Sequence, residues 1–170
     1  MRRMLASTAG AMAAGLLAAA CSSGSTSSTL APAGSAPASP AGGSPSAAPA
    51  AVSLHRLAKI PGKALVTGNG RALYLFEADK SGTSTCTGAC ARSWPPYTVS
   101  GKPAPGVGVS HSLLGTIQRT DGTMQVTYNG HPLYLFTGDR GAGTANGEGA
   151  KAFGADWYVV NASGGKIDTS

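Results

Sequence analysis

The side chains able to do chemistry fall into a few short segments. Cys86 and Cys90 stand in one, Tyr74, Phe76 and Asp79 in another, and Tyr134, Phe136 and Asp139 repeat that second set 60 residues further on. Trp94 and Trp157 each follow one of the tyrosine–aspartate segments. A close thiol pair can serve as a disulfide, a redox couple or part of a metal site. Tyrosine and aspartate among aromatic neighbours can form a patch that grips a ligand. They can equally form a packed core in which Asp79 and Asp139 cap the following turns through backbone amides. Because a repeat restates what its fold requires, packing is the first reading.

Other chemistries lack parts. Ser110-His111-Ser112 places a hydroxyl beside an imidazole in sequence, but a usable base is a spatial neighbour with its own orienting partner, and there is no Gly-x-Ser-x-Gly elbow. The glycine-rich stretch 138–149 is followed by no helix, so it lacks the helix terminus that a phosphate cradle needs. His55, His111 and His131 are scattered; Met124 with His131 across a hairpin is the nearest approach to a soft-metal pair. No catalytic residue, metal or cofactor is therefore assigned, and the chain is read as non-enzymatic.

The two cysteines depend on context. In an exported, oxidising setting Cys86 and Cys90 are expected to pair, closing a short loop worth about 2 kcal/mol. Three residues separate them, where thioredoxin-like and zinc-ribbon motifs have two. The second copy carries Asn146 and Ala150 at the equivalent positions, so the cysteines lie outside what the repeat encodes. A structural clasp is the leading reading, and an extracytoplasmic redox or metal-handling use of Cys86 and Cys90 is the alternative.

That setting is read from the chain start. Residues 1–20 have the order of an export signal, with Arg2 and Arg3, an uncharged Met4 to Ala20, then Cys21. The apolar stretch of roughly 17 residues is short for a membrane span of about 20. Leu16-Leu17-Ala18-Ala19-Ala20-Cys21 resembles a lipobox, which implies cleavage before Cys21 and a diacylglyceryl anchor there. Two acyl chains hold where one does not.

From Ser22 to Ala51 every residue but Leu30 is Ser, Gly, Thr, Ala or Pro. Such a segment buries too little apolar surface to offset the entropy of ordering it, so residues 21–51 read as an anchor and disordered tether of roughly 30 Å mean span. Residues 52–170 suit one domain. Without Arg2 and Arg3, 11 of the 13 basic residues face 7 acidic ones. That excess of +4 is spread singly along the chain as a solvated surface, without a nucleic-acid footprint.

The domain contains an internal repeat. Shifting the chain by 60 lays residues 64–80 on 124–140 with nine identities in seventeen positions, where chance gives about one. Each copy reads as a β-meander, with strands near 55–60, 63–68 and 71–76, then near 116–120, 123–128 and 131–136. Asn69-Gly70 and Asn129-Gly130 are placed as type I′ hairpin turns, and Pro61-Gly62 and Asp121-Gly122 mark further turns. Further strands are expected near 97–100 and 157–161. Leu73 and Leu75 should face opposite to Tyr74 and Phe76, which predicts a strand covered on both sides. The fold expected is all-β: two antiparallel units, about 55–100 and 116–162, related by a pseudo-twofold and forming a small sandwich or partly open barrel of about eight strands.

Tyr74-Leu75-Phe76-Glu77-Ala78-Asp79 and Tyr134-Leu135-Phe136-Thr137-Gly138-Asp139 resemble the signature of a bacterial family of predicted lipoproteins defined by Tyr-x-aromatic-x-x-Asp, also described as a secreted repeat of unknown function. Cys86-Thr87-Gly88-Ala89-Cys90 with Trp94-Pro95-Pro96, and Asp156-Trp157-Tyr158-Val159-Val160, extend the likeness over nearly all of 65–164. The resemblance implies a surface lipoprotein and lends no catalytic residues. An envelope protein or a cell-wall component is the expected partner class.

Overall fold

The computed structural model describes residues 50–80 and 82–169; the signal segment, Cys21 and nearly all of the tether assigned above lie outside them. Among the described residues ten short strands make up three small sheets. The first joins β1 (Ala51–His55), β2 (Ala64–Thr67) and β5 (Ala104–Pro105) in the order β2-β1-β5. The second joins β3 (Tyr74–Phe76), β9 (Ala150–Ala152) and β10 (Ala155–Val159) in the order β3-β10-β9. The third runs β4 (Thr98–Val99), β7 (Met124–Tyr128), β6 (Leu114–Gln118), with β8 (His131–Pro132) also on β7. One short helix, α1 (Ala89–Ser93), stands between β3 and β4.

The sheets carry two hydrophobic clusters on opposite sides of β3. Tyr74 and Phe76 enter one with Trp94, Tyr134 and Trp157, while Leu73 and Leu75 enter the other with Leu65, Val126 and Leu133. The alternation of a pleated strand thus supplies both layers, and the all-β, twice-repeated, sandwich-like architecture follows from it.

The repeats do not stack as separate units. β3 of the first copy pairs antiparallel with β10 of the second, through Phe76 with Trp157 and Tyr74 with Val159. β4 of the first copy pairs with β7 of the second, through Thr98 with Gln125. At the centre, Tyr74 and Tyr134 exchange both backbone hydrogen bonds, N–H to carbonyl at 2.9 Å each way. The pseudo-twofold passes through that pair.

Several local expectations need correction. The first strand is Ala51–His55, not 55–60, so it begins where the tether was drawn to end. It also has a parallel neighbour, Ala51 opposite Ala104 and Val52 opposite Pro105, although every pair was expected antiparallel. Pro105 sits on that edge strand, where a missing N–H costs nothing. β5, β9 and α1 were not foreseen, because two- to five-residue elements are too short to show a period.

The two Asn-Gly turns also differ. Asn129 (φ 50°) and Gly130 (φ 79°) make the type I′ turn. In the first copy only Gly70 has positive φ (77°), and the Gly70 N–H closes on the Thr67 carbonyl at 2.8 Å. This is a three-residue loop with a glycine bulge, the next commonest way to close a hairpin.

The β9–β10 hairpin turns on Phe153 (φ 58°) and Gly154 (φ 90°), with Phe153 49 % exposed. A bulky residue in the left-handed region costs about 1–2 kcal/mol, which asparagine largely escapes. Phe153→Asn should therefore stabilise the domain by about 1 kcal/mol. Urea denaturation reads this directly, and an unchanged or lower midpoint contradicts the strain.

Candidate functional site

The tyrosines and aspartates shared by the two copies converge on the pseudo-twofold, where they are exchanged. The Tyr74 hydroxyl donates to Asp139 Oδ2 at 2.6 Å, and the Tyr134 hydroxyl donates to Asp79 Oδ2 at 2.6 Å. Each tyrosine is thus satisfied by the aspartate of the other copy. The Asp79 and Asp139 N–H groups close turns on the Phe76 and Phe136 carbonyls at 3.0 and 3.2 Å. The first turn leaves the end of β3, while in the second copy the strand expected over 131–136 is only β8, His131–Pro132, and the turn follows an irregular segment.

The second carboxylate oxygens hold the following loops. Asp79 Oδ1 accepts from the Thr85 N–H (2.7 Å) and hydroxyl (2.6 Å), and Asp139 Oδ1 accepts from the Asn146 N–H at 2.7 Å. A buried carboxylate is costly unless its lone pairs are filled, and these are filled from two directions. Burial first, and the adjoining carboxylate second, push the Tyr74 and Tyr134 hydroxyls far above the ordinary tyrosine value of 10.0.

That shift has a sign. A pKa raised in the folded state contributes stability that is complete below the unfolded value and is lost as pH climbs above it. The domain should lose stability as pH rises beyond 10, and Tyr74→Phe/Tyr134→Phe should flatten that loss. Denaturant titrations from neutral to strongly alkaline pH measure it; identical slopes in the two proteins would remove these hydroxyls as the cause.

The aromatic rings are exchanged as well. Phe76 stacks on Trp157 at 4.1 Å, Trp157 on Trp94 at 4.0 Å, and Trp94 on Phe136 at 4.3 Å. Four rings from alternating copies form one column, with Tyr74 edge-on to Trp94 and Tyr134 edge-on to Trp157, each at 5.2 Å. Tyr74, Tyr134, Trp94 and Trp157 are at most 1 % exposed, so these four rings present no surface to a ligand. Gly147 closes over the column: a Cβ there would lie 2.6 Å from Trp94 Cη2. Part of the glycine-rich loop is thus a cover with no room for a side chain.

Cys86 and Cys90 form a disulfide, and both residues are buried in the same cluster as Trp94. The turn they close presents the Cys86 carbonyl to Arg119 Nη2 at 2.8 Å. Arg119 was read as part of a solvated basic surface; it is buried instead, with Nη1 donating to Gln125 Oε1 at 2.7 Å and to the Ser84 hydroxyl. Ser84 in turn meets the Tyr134 hydroxyl at 2.7 Å, so the guanidinium reaches the central pair. No local signal marks Arg119 as buried: its Nε reaches the nearby Asp121 at 3.4 Å, but the partners of its Nη atoms come from 6 to 35 residues away.

The remaining candidates are dispersed. His131 pairs with Tyr128 at the turn end of β7, while Met124 opens that strand beside Val99 and Gln118, so the two stand about 13 Å apart and share no metal site. Ser110 and Ser112 hydroxyls meet each other at 2.9 Å, with His111 exposed. Among the described residues no group of three His, Cys, Asp or Glu converges as metal ligands.

An open cleft of about 850 Å³ runs beside the Asp79 turn. Leu75, Phe76 and Ala155 contribute apolar lining, and Lys80, His131, Lys166, Glu77 and Asp79 supply its charged and titratable groups. Lys166 donates to Glu77 at 2.9 Å and lies 4.2 Å from the Tyr158 ring centre. The bond to Glu77 raises its pKa well above the ordinary lysine range.

A duplicated β domain whose shared signature forms an interlocked centre is a repeat protein in which each copy completes the other. The chain belongs to the family described as a secreted repeat of unknown function, which matches residues 60–98 and 115–161, half of its length. No curated protein and no solved structure matches it. No helix among the described residues is long and apolar enough to cross a membrane.

Proposed function

We propose that this chain is a bacterial lipoprotein held to the outer face of the cell membrane by a diacylglyceryl group on Cys21. Its domain acts as a non-enzymatic binding module of the envelope. The observation that carries the binding reading is the cleft beside the Asp79 turn, which combines an apolar lining with cationic side chains. A ligand site typically has an apolar wall and a few polar groups that fix orientation. With the signature rings turned inward, the cleft is where a partner meets side chains from both copies: Glu77 and Lys80 from the first, His131 and Ala155 from the second.

Lys80 and His131, with Lys166 drawn from its pairing with Glu77, suit a ligand bearing carboxylates, and the stem peptides of the cell wall carry several. Burial of both sulfurs supports a shape-keeping role for Cys86–Cys90 over thiol cycling or metal binding.

Two measurements test the proposal separately. Intact mass of the protein from bacterial membranes should show the diacylglyceryl increment with Cys21 as the first residue, and Cys21→Ser should lose it. An unmodified wild-type mass ends the anchor reading. For the cleft, NMR titration with a disaccharide–pentapeptide wall fragment should shift signals at 75–80, 129–131 and 166, and Lys80→Glu/Lys166→Glu should abolish the response. Shifts that are absent or spread evenly over the domain end the binding reading.

A further inference from the structure

The buried centre holds more polar chemistry than packing requires. Phenylalanine would fill the positions of Tyr74 and Tyr134, which are 0 % exposed, without bringing hydroxyls and carboxylates into an apolar core. Instead, each phenol lies on a carboxylate at 2.6 Å and its ring stands 5.2 Å from a tryptophan. The two indoles are stacked at 4.0 Å and nearly parallel, 6° apart. Phenol, proton acceptor and coupled indoles are the parts needed to move an electron and a proton together.

We propose that the two tyrosine–aspartate pairs and the stacked Trp94–Trp157 pair form a one-electron relay serving a metal-centred oxidant at the domain surface. The oxidant gains one electron and the tryptophan pair loses one, leaving an indole radical cation shared across the stack. Tyr74 then returns an electron to Trp94, and its phenolic proton moves along the existing hydrogen bond to Asp139. The products are a reduced oxidant, neutral indoles, a neutral tyrosyl radical and a protonated carboxyl. Tyr134, Trp157 and Asp79 do the same from the other side.

Three observations favour this assignment over incidental packing. The Asp79 and Asp139 carboxylates are pinned through their other oxygens by Thr85 and Asn146, so each acceptor is already aimed before the electron leaves. The raised pKa values keep both phenols protonated, so that oxidation must move a proton, and the acceptor is in place. The protein also supplies its own controls. Tyr97 and Tyr128 donate to the backbone carbonyls of Ala51 and Ala162, which cannot take a proton. Among the described tyrosines only Tyr74 and Tyr134 combine a carboxylate acceptor with a tryptophan contact. Phe136, half-buried at one end of the column, brings the stack close to the surface where an oxidant acts.

The test uses the full chain in detergent, oxidised by flash-generated tris(bipyridine)ruthenium(III) and followed by transient absorption and freeze-quench EPR. The expected record is a tryptophanyl signal that decays as a neutral tyrosyl radical appears, more slowly in D2O than in H2O. Asp79→Asn/Asp139→Asn should slow the tyrosyl step by about a hundredfold. Trp94→Phe/Trp157→Phe, which keeps a stacked column, should remove the tryptophanyl precursor, and Tyr97→Phe/Tyr128→Phe should change nothing. Near-ultraviolet circular dichroism checks that each variant folds; should the substituted cores fail, the wild-type isotope effect and the Tyr97→Phe/Tyr128→Phe trace still decide. A tyrosyl signal lost in Tyr97→Phe/Tyr128→Phe, or equal wild-type rates in the two solvents, overturns the relay.

Discussion

Trp157→Ala should lower the free energy of unfolding by about 3–5 kcal/mol, a large share of the roughly 5–15 kcal/mol that holds a domain together. The indole is fully buried and stacked on both faces, by Phe76 at 4.1 Å and Trp94 at 4.0 Å, so its removal strands two further rings beside a cavity. The loss should not be confined to the second repeat. Trp157 lies opposite Phe76 in the β3–β10 ladder, and β3 belongs to the first copy. Hydrogen exchange at Leu65 and Val66 should accelerate with that at Val159, in one cooperative unit. Exchange that rises only beyond residue 114 would show that the copies fold independently.

A double-mutant cycle should find the strong partner of each tyrosine in the opposite copy. Tyr74→Phe removes the donor from Asp139 Oδ2, and Asp139→Ala leaves the Tyr74 hydroxyl and the Asn146 N–H without their shared acceptor. Each single change should cost about 2–3 kcal/mol, as charge-assisted buried hydrogen bonds do. The coupling between Tyr74 and Asp139 should reach about 1.5–3 kcal/mol, while Tyr74 and Asp79 should be additive within about 0.5 kcal/mol. The mirror pair, Tyr134 with Asp79, should behave like the first. A Tyr74–Asp79 coupling equal to or larger than the Tyr74–Asp139 value would mean that each repeat satisfies its own motif.

These two results bear on what the family signature is for. Its tyrosine, aromatic and aspartate form the joint between copies, so losing any of them should act on stability before it acts on ligand binding. The cleft takes charged and titratable groups from Asp79 of the signature and also from Glu77, Lys80, His131 and Lys166, and two of these change type between the copies: Glu77 stands where the second copy has Thr137, and His131 where the first has Arg71. Duplication thus keeps the centre alike while the rim is free to differ.

Much of this was legible from residues alone. The repeat, the glycine turns at 70 and 130, the two-sided strand at 73–76 and the aspartates that hold the following loops are all local matters. Glycine at positive φ and alternation along a pleat depend on neighbours within a few positions, and the aspartates reach amides only six and seven residues on, within the next loop. The buried Arg119 and the covering Gly147 were not legible. Arg119 meets Cys86 across 33 residues, and Gly147 meets the Tyr74 hydroxyl across 73.

The amino-acid order by itself determined that there would be two like β units, a turn chemistry for each, and an apolar identity for both faces of their shared strand. Only the tertiary structure decided which tyrosine meets which aspartate. Duplication makes the own-copy and cross-copy pairings identical in residue type, so no pattern of types can rank them. The choice falls to chain geometry: the turns at Asp79 and Asp139 lead each carboxylate away from the tyrosine of its own copy, and the antiparallel meeting of Tyr74 with Tyr134 places the opposite hydroxyl within reach.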